Sequence, residues 1–328
     1  MSHDELTRRR FLQASAALAG AAALSPLLTS SSSAAAPAPS PVASAPSMPA
    51  PAATQSSTLR TAVDQVALGA TGLKLSRLGM GTGSENGRTQ TALGKDEFIK
   101  LIHYAFDKGI TFFDTCDRYE TMPWMADALK GLPREKLFIQ SKITGTPADV
   151  VAAIDAERKK LNTDYIDSML IHSQTTANWS ALDAWKRIMD GFNTAKDKKL
   201  IKAKGSSCHN LPALTDAAKN DFHDLHLVRV NPQGKYIDGP SGRGYTASET
   251  FPVDPVLAQI KDMKSKGRGI IGMKILGNGL FTAPEDREKS IRFAMANKNI
   301  DAVLMGFKSN KEIDEAIDRI NKALVDAA

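Results

Sequence analysis

From about residue 75 onward, short apolar runs alternate eight times with segments of helical periodicity. The apolar runs are nearly uninterrupted, as in 110–113 and 302–307, which is typical of parallel strands buried on both faces. The segments between them repeat apolar residues at helical spacing, as Phe98, Leu101 and Ile102 do. Eight strand–helix units in succession predict a closed (β/α)8 TIM barrel in the α/β class.

A short N-terminal β-hairpin is predicted before the barrel, over 66–75, with its turn between Gly69 and Gly72. The alternative fold is an open doubly wound sheet. That fold would need a glycine-rich phosphate loop after its first strand, and the stretch 79–84 lacks the last glycine of that fingerprint. The closed barrel is therefore the preferred prediction.

The N-terminal 35 residues read as a targeting segment. The pair Arg8-Arg9 precedes an apolar, alanine-rich stretch over 14–28, as in a twin-arginine export signal. This stretch is too short and too weakly apolar for a membrane span, so we expect no stable membrane insertion of the mature protein. The sequence predicts the twin-arginine export machinery as a partner and a periplasmic or exported location; a disordered basic tail is the alternative.

The predicted signal peptide occupies 1–35 and is followed by a linker over 36–62 that is rich in Ala, Pro and Ser. Such a composition buries too little apolar surface to fold. The barrel is expected to occupy 63–328.

Charge and cysteine content exclude several classes of function. The net charge is +6, but no basic run carries interleaved aromatic residues, so no nucleic-acid partner is expected. Cys116 and Cys208 form no CxxC pattern, which argues against a metal site. They belong to barrel strands three places apart, too far for a disulfide, so we expect free thiols.

Three consecutive strands end abruptly in polar residues: Asp114, Lys142 and His172, with Tyr119 just beyond the first. In a barrel, the carboxyl ends of the strands share one face, and active sites lie there. These four residues are therefore the predicted catalytic group.

Each of the four has a distinct chemical use. A free tyrosine titrates near ~10, and the ammonium of Lys142 would lower that pKa by stabilising the phenolate. Asp114 would keep Lys142 charged by pairing with it. Tyr119 could then protonate a carbonyl oxygen while His172 orients it. None of these residues stores a hydride, so a cofactor must supply it.

At this point the chain resembles the aldo-keto reductase family. The resemblance is carried, in family order, by Leu68-Gly69-x-Thr71-Gly72-Leu73, Phe113-Asp114-Thr115 with Tyr119, Ser141-Lys142, Thr163 to His172, Leu276-Gly277-x-Gly279-Leu280, and Gly306-x-Lys308. It implies a (β/α)8 barrel that reduces an aldehyde or ketone with NADPH (NADP). It places the catalytic tetrad on Asp114, Tyr119, Lys142 and His172.

The resemblance also implies a cofactor site. Its residues would be Gly81, Thr82, Ser207, Lys274, Leu276, Gly277, Gly279, Gly306, Lys308, Ser309, Glu312 and Glu315. Lys308 and Ser309 suit a 2′-phosphate, and Lys274 with the glycines after it suits a pyrophosphate.

Several usual cofactor contacts are missing. Cys208 stands where the family has the asparagine of an amide-binding pair. Leu227 and Val230 align with the glutamine and the stacking tyrosine, and Ala316 replaces a residue near the adenine. We hypothesise that Tyr236 or Tyr245 supplies the stack instead.

Trp124 and Trp179 fall after the second and fourth barrel strands, on predicted loops. They are candidates for the walls of a substrate pocket, and loop anchors are the alternative. The predicted function is an NADPH-dependent carbonyl reductase. A catalytically weak barrel that binds a nucleotide or another anion is the second hypothesis.

Overall fold

The computed structural model describes residues 60–240 and 249–326. The strands within these ranges are β1 (Gln65–Ala67), β2 (Lys74–Ser76), β3 (Leu78–Gly81), β4 (Phe112–Asp114), β5 (Phe138–Ile143), β6 (Ile166–Gln174), β7 (Ile201–Cys208), β8 (Leu225–Arg229), β9 (Gly269–Met273) and β10 (Ala302–Gly306). The helices are α1 (Arg88–Thr91), α2 (Lys95–Asp107), α3 (Met122–Leu129), α4 (Val150–Lys160), α5 (Asp183–Asp197), α6 (Leu211–Lys219), α7 (Asp254–Ser265), α8 (Pro284–Ala296) and α9 (Asn310–Asp326).

Strands β3 to β10 close into a barrel in the order β10-β3-β4-β5-β6-β7-β8-β9, and each neighbouring pair is parallel. The predicted (β/α)8 TIM barrel is therefore confirmed. The hairpin is confirmed as well, because β1 and β2 pair antiparallel. Between β2 and β3 the chain leaves the hairpin at Arg77 and enters the barrel.

The predicted signal peptide and most of the predicted linker lie outside the described residues. The last linker positions, 60–62, are described and belong to the folded unit. Ala62 is fully buried, and its backbone N–H donates to Asn321 Oδ1 at 2.7 Å. The boundary predicted after residue 62 is therefore wrong, because these residues pack against α9.

Side chains inside the barrel are apolar at its base and polar at its mouth. The apolar layers include Leu68, Leu75, Phe112, Phe138, Leu170, Leu225, Leu227 and Ile271. Because side chains alternate along a strand, residues two or four positions further along point inward as well. Asp114, Lys142 and Arg229 hold such positions at the carboxyl ends of their strands, so the barrel's mouth is lined with charge.

A stacked histidine pair lies at the amino-terminal end of β8. The rings of His223 and His226 are 4.5 Å apart and nearly parallel. Ser206 Oγ lies 2.9 Å from Nε2 of His223. Burial lowers the pKa of His223 to about 3 and that of His226 well below its ordinary value. Both rings are therefore neutral in the folded protein at pH 7.

Replacing His226 with Phe is expected to flatten the acid side of the stability profile. In the unfolded chain these histidines titrate near ~6.5, so the unfolded state binds more protons than the folded state as the pH falls below that value. Stability is thus lost as the pH falls below about 6.5, by up to about 1.4 kcal/mol per pH unit for each histidine. Urea unfolding at several pH values measures the slope. Equal slopes for the original and variant chains would contradict a neutral His226.

Candidate active site

Asp114 and Lys142 form a buried ion pair at the ends of β4 and β5. Lys142 Nζ donates to Asp114 Oδ2 at 2.5 Å and Oδ1 at 2.7 Å, and to the backbone oxygen of Thr115 at 2.7 Å. The two side chains are 2% and 3% exposed. Neither side chain is exposed to solvent, so the ion pair is part of the buried structure of the mouth.

Two buried polar side chains, Gln140 and Ser168, hold Asp114 in place through hydrogen bonds. Gln140 Nε2 donates to Asp114 Oδ1 at 2.7 Å, and Ser168 Oγ donates to Gln140 Oε1 at 2.9 Å. Both residues are fully buried. We did not single them out from the sequence, although Gln140 lies two positions before Lys142 and therefore on the same face of β5.

Tyr119 lies over the ion pair. Lys142 Nζ is 4.9 Å from the centroid of its ring. The edge of the ring meets His172 with a centroid separation of 5.9 Å. All four predicted catalytic residues thus come together at the carboxyl ends of β4, β5 and β6.

The pKa of Lys142 follows the prediction, but the pKa of Tyr119 does not. Burial lowers the pKa of Lys142, but Asp114 and the neighbouring phenol and thiol raise it by more, so the amine stays charged. For Tyr119, burial raises the pKa, Lys142 lowers it, and Asp114 raises it. The pKa of Tyr119 is therefore raised overall. Lys142 offsets part of the effect of burial, but it does not bring the pKa of the phenol below its ordinary value.

Gly83 fixes the place of the Tyr119 ring. A Cβ atom at residue 83 would lie 2.2 Å from two ring carbons of Tyr119 and 2.7 Å from its hydroxyl oxygen. Gly83 has a φ of −109°, which any residue adopts. Glycine is thus needed there for its lack of a side chain.

The substitution Gly83→Ala should therefore displace Tyr119. A misplacement of about 1 Å at a reacting group costs on the order of 100-fold in rate, and we expect a fall of that size in kcat. Ser84→Ala, which removes an atom at the next position, is the control and should retain activity. Steady-state kinetics and a thermal melt of each variant make the test. Unchanged kcat in Gly83→Ala would show that the ring position is unimportant.

His172 is half-buried, and its Nδ1 faces the protein. That atom lies 3.1 Å from Thr144 Oγ1 and 3.1 Å from Cys116 Sγ. Burial, with a smaller effect from Lys142, lowers the pKa of His172 to about 3. The imidazole of His172 is therefore neutral at pH 7. It can form hydrogen bonds, but it carries no positive charge at that pH.

Most of the predicted cofactor residues lie at or just after the carboxyl ends of β3, β7, β9 and β10, whereas Glu312 and Glu315 lie on α9. Thr82 Oγ1 donates to the backbone oxygen of Asp114 at 3.0 Å, and Ser207 Oγ accepts from Ser173 N at 3.1 Å. Gly81 and Gly306 pair across β3 and β10. Leu276 precedes the turn Gly277–Gly279. These contacts bring the rim residues around the same mouth as the four predicted catalytic residues.

Lys274 and Lys308 are the cations of this rim. Lys274 has a left-handed φ of 59°, and its Nζ donates to Asn278 Oδ1 at 2.6 Å. Burial, then Arg229 and Lys142, lower the pKa of Lys274 to about 8. Lys308 is exposed at the start of α9, where its backbone N–H donates to Glu312 Oε2 at 2.8 Å. Ser309 Oγ accepts from Glu312 N at 3.3 Å and so caps the helix.

The structure revises the alignment on β8. Val230 is fully buried in the layer between barrel and helices. It therefore does not lie at the mouth, where a ring that stacks on the nicotinamide would have to be. Leu227 lies in the apolar interior, opposite Ile271. The inward residue at the mouth is Arg229, fully buried and paired with Asp238 at 2.9 Å. Tyr236 has a left-handed φ of 54°, and Tyr245 lies outside the described residues.

The two tryptophans pack into the structure. Trp124 belongs to α3, not to a loop, and its ring lies 5.9 Å from that of Phe98. Trp179 is fully buried, and its Nε1 donates to the backbone oxygen of Ala213 at 3.2 Å. A fully buried ring cannot wall a pocket that is open to substrate, so the prediction for Trp179 is wrong. The alternative of a loop anchor fits Trp179, whereas Trp124 is a half-buried residue of α3 and its role in a substrate pocket stays a prediction.

Cys116 and Cys208 are free, as predicted, and the structure shows that both are buried. Over residues 60–240 and 249–326, no group of three or more His, Cys, Asp or Glu side chains is arranged to hold a metal ion. No helix in the same ranges combines the length and apolar character that a membrane crossing requires.

The chain is similar to known proteins in sequence and in fold. Residues 77–325 match the model of the Aldo/keto reductase family. Probable aldo-keto reductase 1 of Glycine max is 35% identical over 130 residues, which cover 35% of this chain and 38% of that protein. L-galactose dehydrogenase of Arabidopsis thaliana is 25% identical over 302 residues, covering 80% of this chain and 89% of that protein.

Among solved structures, aldo-keto reductase AKR11C1 from Bacillus halodurans, in its holo form, superposes with a TM-score of 0.62. The two chains are 16% identical, and the match covers 81% of this chain and 96% of the other. At that identity the likeness concerns the fold alone, which is the same closed barrel.

Proposed function

The chain belongs to the aldo/keto reductase family, and we propose that it reduces an aldehyde or ketone by hydride transfer from NADPH, with Tyr119 as the general acid. Members of the family are generally NAD(P)H-dependent oxidoreductases acting on carbonyl groups. The observation that carries the proposal is the buried Lys142–Asp114 pair directly beneath the Tyr119 ring.

The residues of the mouth divide the proton chemistry between them. Asp114 holds Lys142 as an ammonium, and that positive charge faces the phenol. When the carbonyl oxygen gains negative charge, Tyr119 donates its proton, and Lys142 stabilises the phenolate that remains. A group whose pKa is raised by burial gives up a proton readily only to a strongly basic oxygen, such as the alkoxide formed by reduction.

NADPH, when bound, supplies the hydride that none of these side chains can store. The donor set of the rim fits an anionic nucleotide. Among the described residues, the ammonium of Lys308 has no ion-pair partner, and it lies beside the N-terminus of the 17-residue helix α9. Lys274 and the turn Gly277–Gly279 would hold the pyrophosphate, and Lys308 with Ser309 the 2′-phosphate.

Lys308→Ala tests this assignment. We expect NADPH to bind about 10-fold more weakly, the size of a charge-assisted contact, while NADH binding stays unchanged. Lys311→Ala, another exposed lysine of the same helix start, is the matched control. Glu312→Gln removes a negative charge from the site and should favour NADPH. Fluorescence titration measures the affinities. Equal losses for both nucleotides would contradict a 2′-phosphate site.

A second function, a barrel that binds a nucleotide or another anion with little turnover, has one specific observation in its favour. Leu227 and Val230, which align with the family's glutamine and stacking tyrosine, are buried away from the mouth, so neither can place the nicotinamide for hydride transfer. The absorbance of NADPH, followed with a panel of aldehydes, separates the two functions. Binding without oxidation across the panel would favour the second.

We further propose export through the twin-arginine machinery, supported by the pair Arg8-Arg9 and the apolar stretch 14–28. Replacing both arginines with lysine should leave the chain in the cytoplasm of a host that has this machinery. Fractionation followed by immunoblotting measures its location, and an undiminished periplasmic fraction would contradict the proposal.

A further inference from the structure

A row of polar side chains crosses three neighbouring strands inside the barrel. The register places Asp114 of β4 beside Gln140 of β5, and Gln140 beside Ser168 of β6. Residues that are partners on adjacent strands point to the same side of a sheet. Since Asp114 points into the barrel, all three side chains do. Two residues earlier, the same inward positions of β4 and β5 are held by Phe112 and Phe138.

Two hydrogen bonds fix the orientation of the Gln140 amide. Its Oε1 can only accept, and it lies 2.9 Å from Ser168 Oγ, so the hydroxyl donates. Its Nε2 then faces Asp114 Oδ1 at 2.7 Å, where the carboxylate oxygen accepts. In the reversed amide, two acceptor oxygens would face each other without a hydrogen between them. The amide of Gln140 is therefore directed at the carboxylate.

The Asp114 carboxylate depends on very few donors. Among residues 60–240 and 249–326, its side-chain oxygens accept hydrogen bonds from Lys142 and Gln140 alone. Gln140 is fully buried and Asp114 is 2% exposed, so solvent contributes little. A buried ion pair is favourable only where further hydrogen bonds satisfy the lone pairs that the pair itself leaves open. Gln140 supplies that contact.

We propose that Gln140 is a positioning residue for the reduction. Its amide keeps the Asp114 carboxylate ionised and turned toward Lys142. Lys142 can then stabilise the Tyr119 phenolate as the proton leaves. This inference rests on the proposed reductase function and adds a residue that acts only through Asp114. The role is electrostatic, because an apolar side chain of the same size could fill the space but could not donate.

Gln140→Met keeps the size of the side chain and removes the donor. We expect kcat at saturating NADPH to fall on the order of 10-fold, the lower end of what a hydrogen bond to a charged group contributes. The KM for the aldehyde should stay unchanged, because no substrate contact is lost. Gln233→Met, at a half-buried glutamine that donates to Asp286, is the control and should keep the original kcat. Unchanged kcat in Gln140→Met would overturn the proposal.

Gln140→Glu separates the electrostatic role from a packing role, since the two side chains have the same shape. Burial and the neighbouring charge of Asp114 raise the pKa of the new carboxyl. While it holds its proton it can donate to Asp114 as the amide does, so kcat at pH 6 should stay near the original value. Once it ionises, two carboxylates face each other. We expect kcat to fall about 10-fold between pH 6 and 9.

The original chain should show no such fall. Burial and neighbouring charges raise the pKa values of Lys142 and Tyr119 above their ordinary values, and that of His172 is about 3. Across the mouth, the pKa of Lys274 is about 8, and Arg229 is paired with Asp238. The ratio of kcat in Gln140→Glu to kcat in the original chain removes the titration of Lys274. A ratio that is independent of pH would overturn the electrostatic role. This test also decides the question where Gln140→Met is too unstable to assay.

Nitrogen-15 NMR of lysine-labelled protein reads the same contact without turnover. The ammonium signal of Lys142 is assigned by its loss in Lys142→Met. In Gln140→Glu this signal should shift with the same midpoint as the fall in kcat, and in the original chain it should stay nearly constant from pH 6 to 9. A constant signal in Gln140→Glu would overturn the proposal. A shifting signal in Gln140→Glu, with no NADPH oxidation by the original chain, would count against the reductase function alone.

Discussion

Replacing Tyr119 with Phe should lower kcat by about 100- to 10,000-fold, the range that a positioned general acid contributes. The ring and its contacts with Gly83 and His172 remain, and only the hydroxyl is lost. NADPH affinity is therefore expected to stay within about 2-fold of the original value. Stopped-flow absorbance gives the rate and fluorescence titration the affinity.

Tyr104→Phe is the matched control for this loss of a hydroxyl. Tyr104 donates to Asp314 at 2.8 Å, on α2 facing α9, and has no contact with the tetrad. Its kcat should be unchanged. A Tyr119→Phe protein that reduces aldehydes at the original rate would require a different proton donor.

Breaking the Lys142–Asp114 ion pair should cost a large part of the protein's stability. Asp114→Ala leaves the Lys142 ammonium buried with no counter-charge, and removing one partner of a buried pair typically costs about 3–5 kcal/mol. Urea unfolding measures this loss. Turnover should fall as well, since Lys142 no longer has a partner that keeps it charged.

The double variant Asp114→Asn with Lys142→Met separates the stability effect from the catalytic one. Replacing both charges removes the uncompensated group, so most of the lost unfolding free energy should return. The side-chain oxygen of Asn at position 114 can still accept from Gln140. Activity should remain absent, because the ammonium is gone. A double variant as unstable as Asp114→Ala would show that the pair is not the source of the loss.

The periodicity of the sequence was sufficient to predict the barrel, because the alternation of strand and helix is local information that the chain repeats eight times. The grouping of the candidate catalytic side chains was also predictable, since Asp114, Lys142 and His172 lie at or near the ends of consecutive strands, and closing the barrel brings strand ends together. Both inferences depend on topology more than on the details of packing.

What depends on packing was not predictable. Three features depend on neighbours that are distant in sequence. They are the close approach of Gly83 and Tyr119, the burial of Trp179 and the inward direction of Arg229. The pKa of Tyr119 is a similar case. The sequence shows that a lysine is available to lower it, but only the burial of the phenol in the fold shows that desolvation outweighs that effect.

The position of the Tyr119 hydroxyl in a crystal structure of the chain with NADP⁺ is the most direct test of the central claim that Lys142 and Tyr119 act together. We expect its oxygen within about 3.2 Å of Lys142 Nζ, the limit of a hydrogen bond, and directed toward the nicotinamide. A hydroxyl turned to solvent, out of reach of Lys142, would contradict the role of Tyr119 as the general acid.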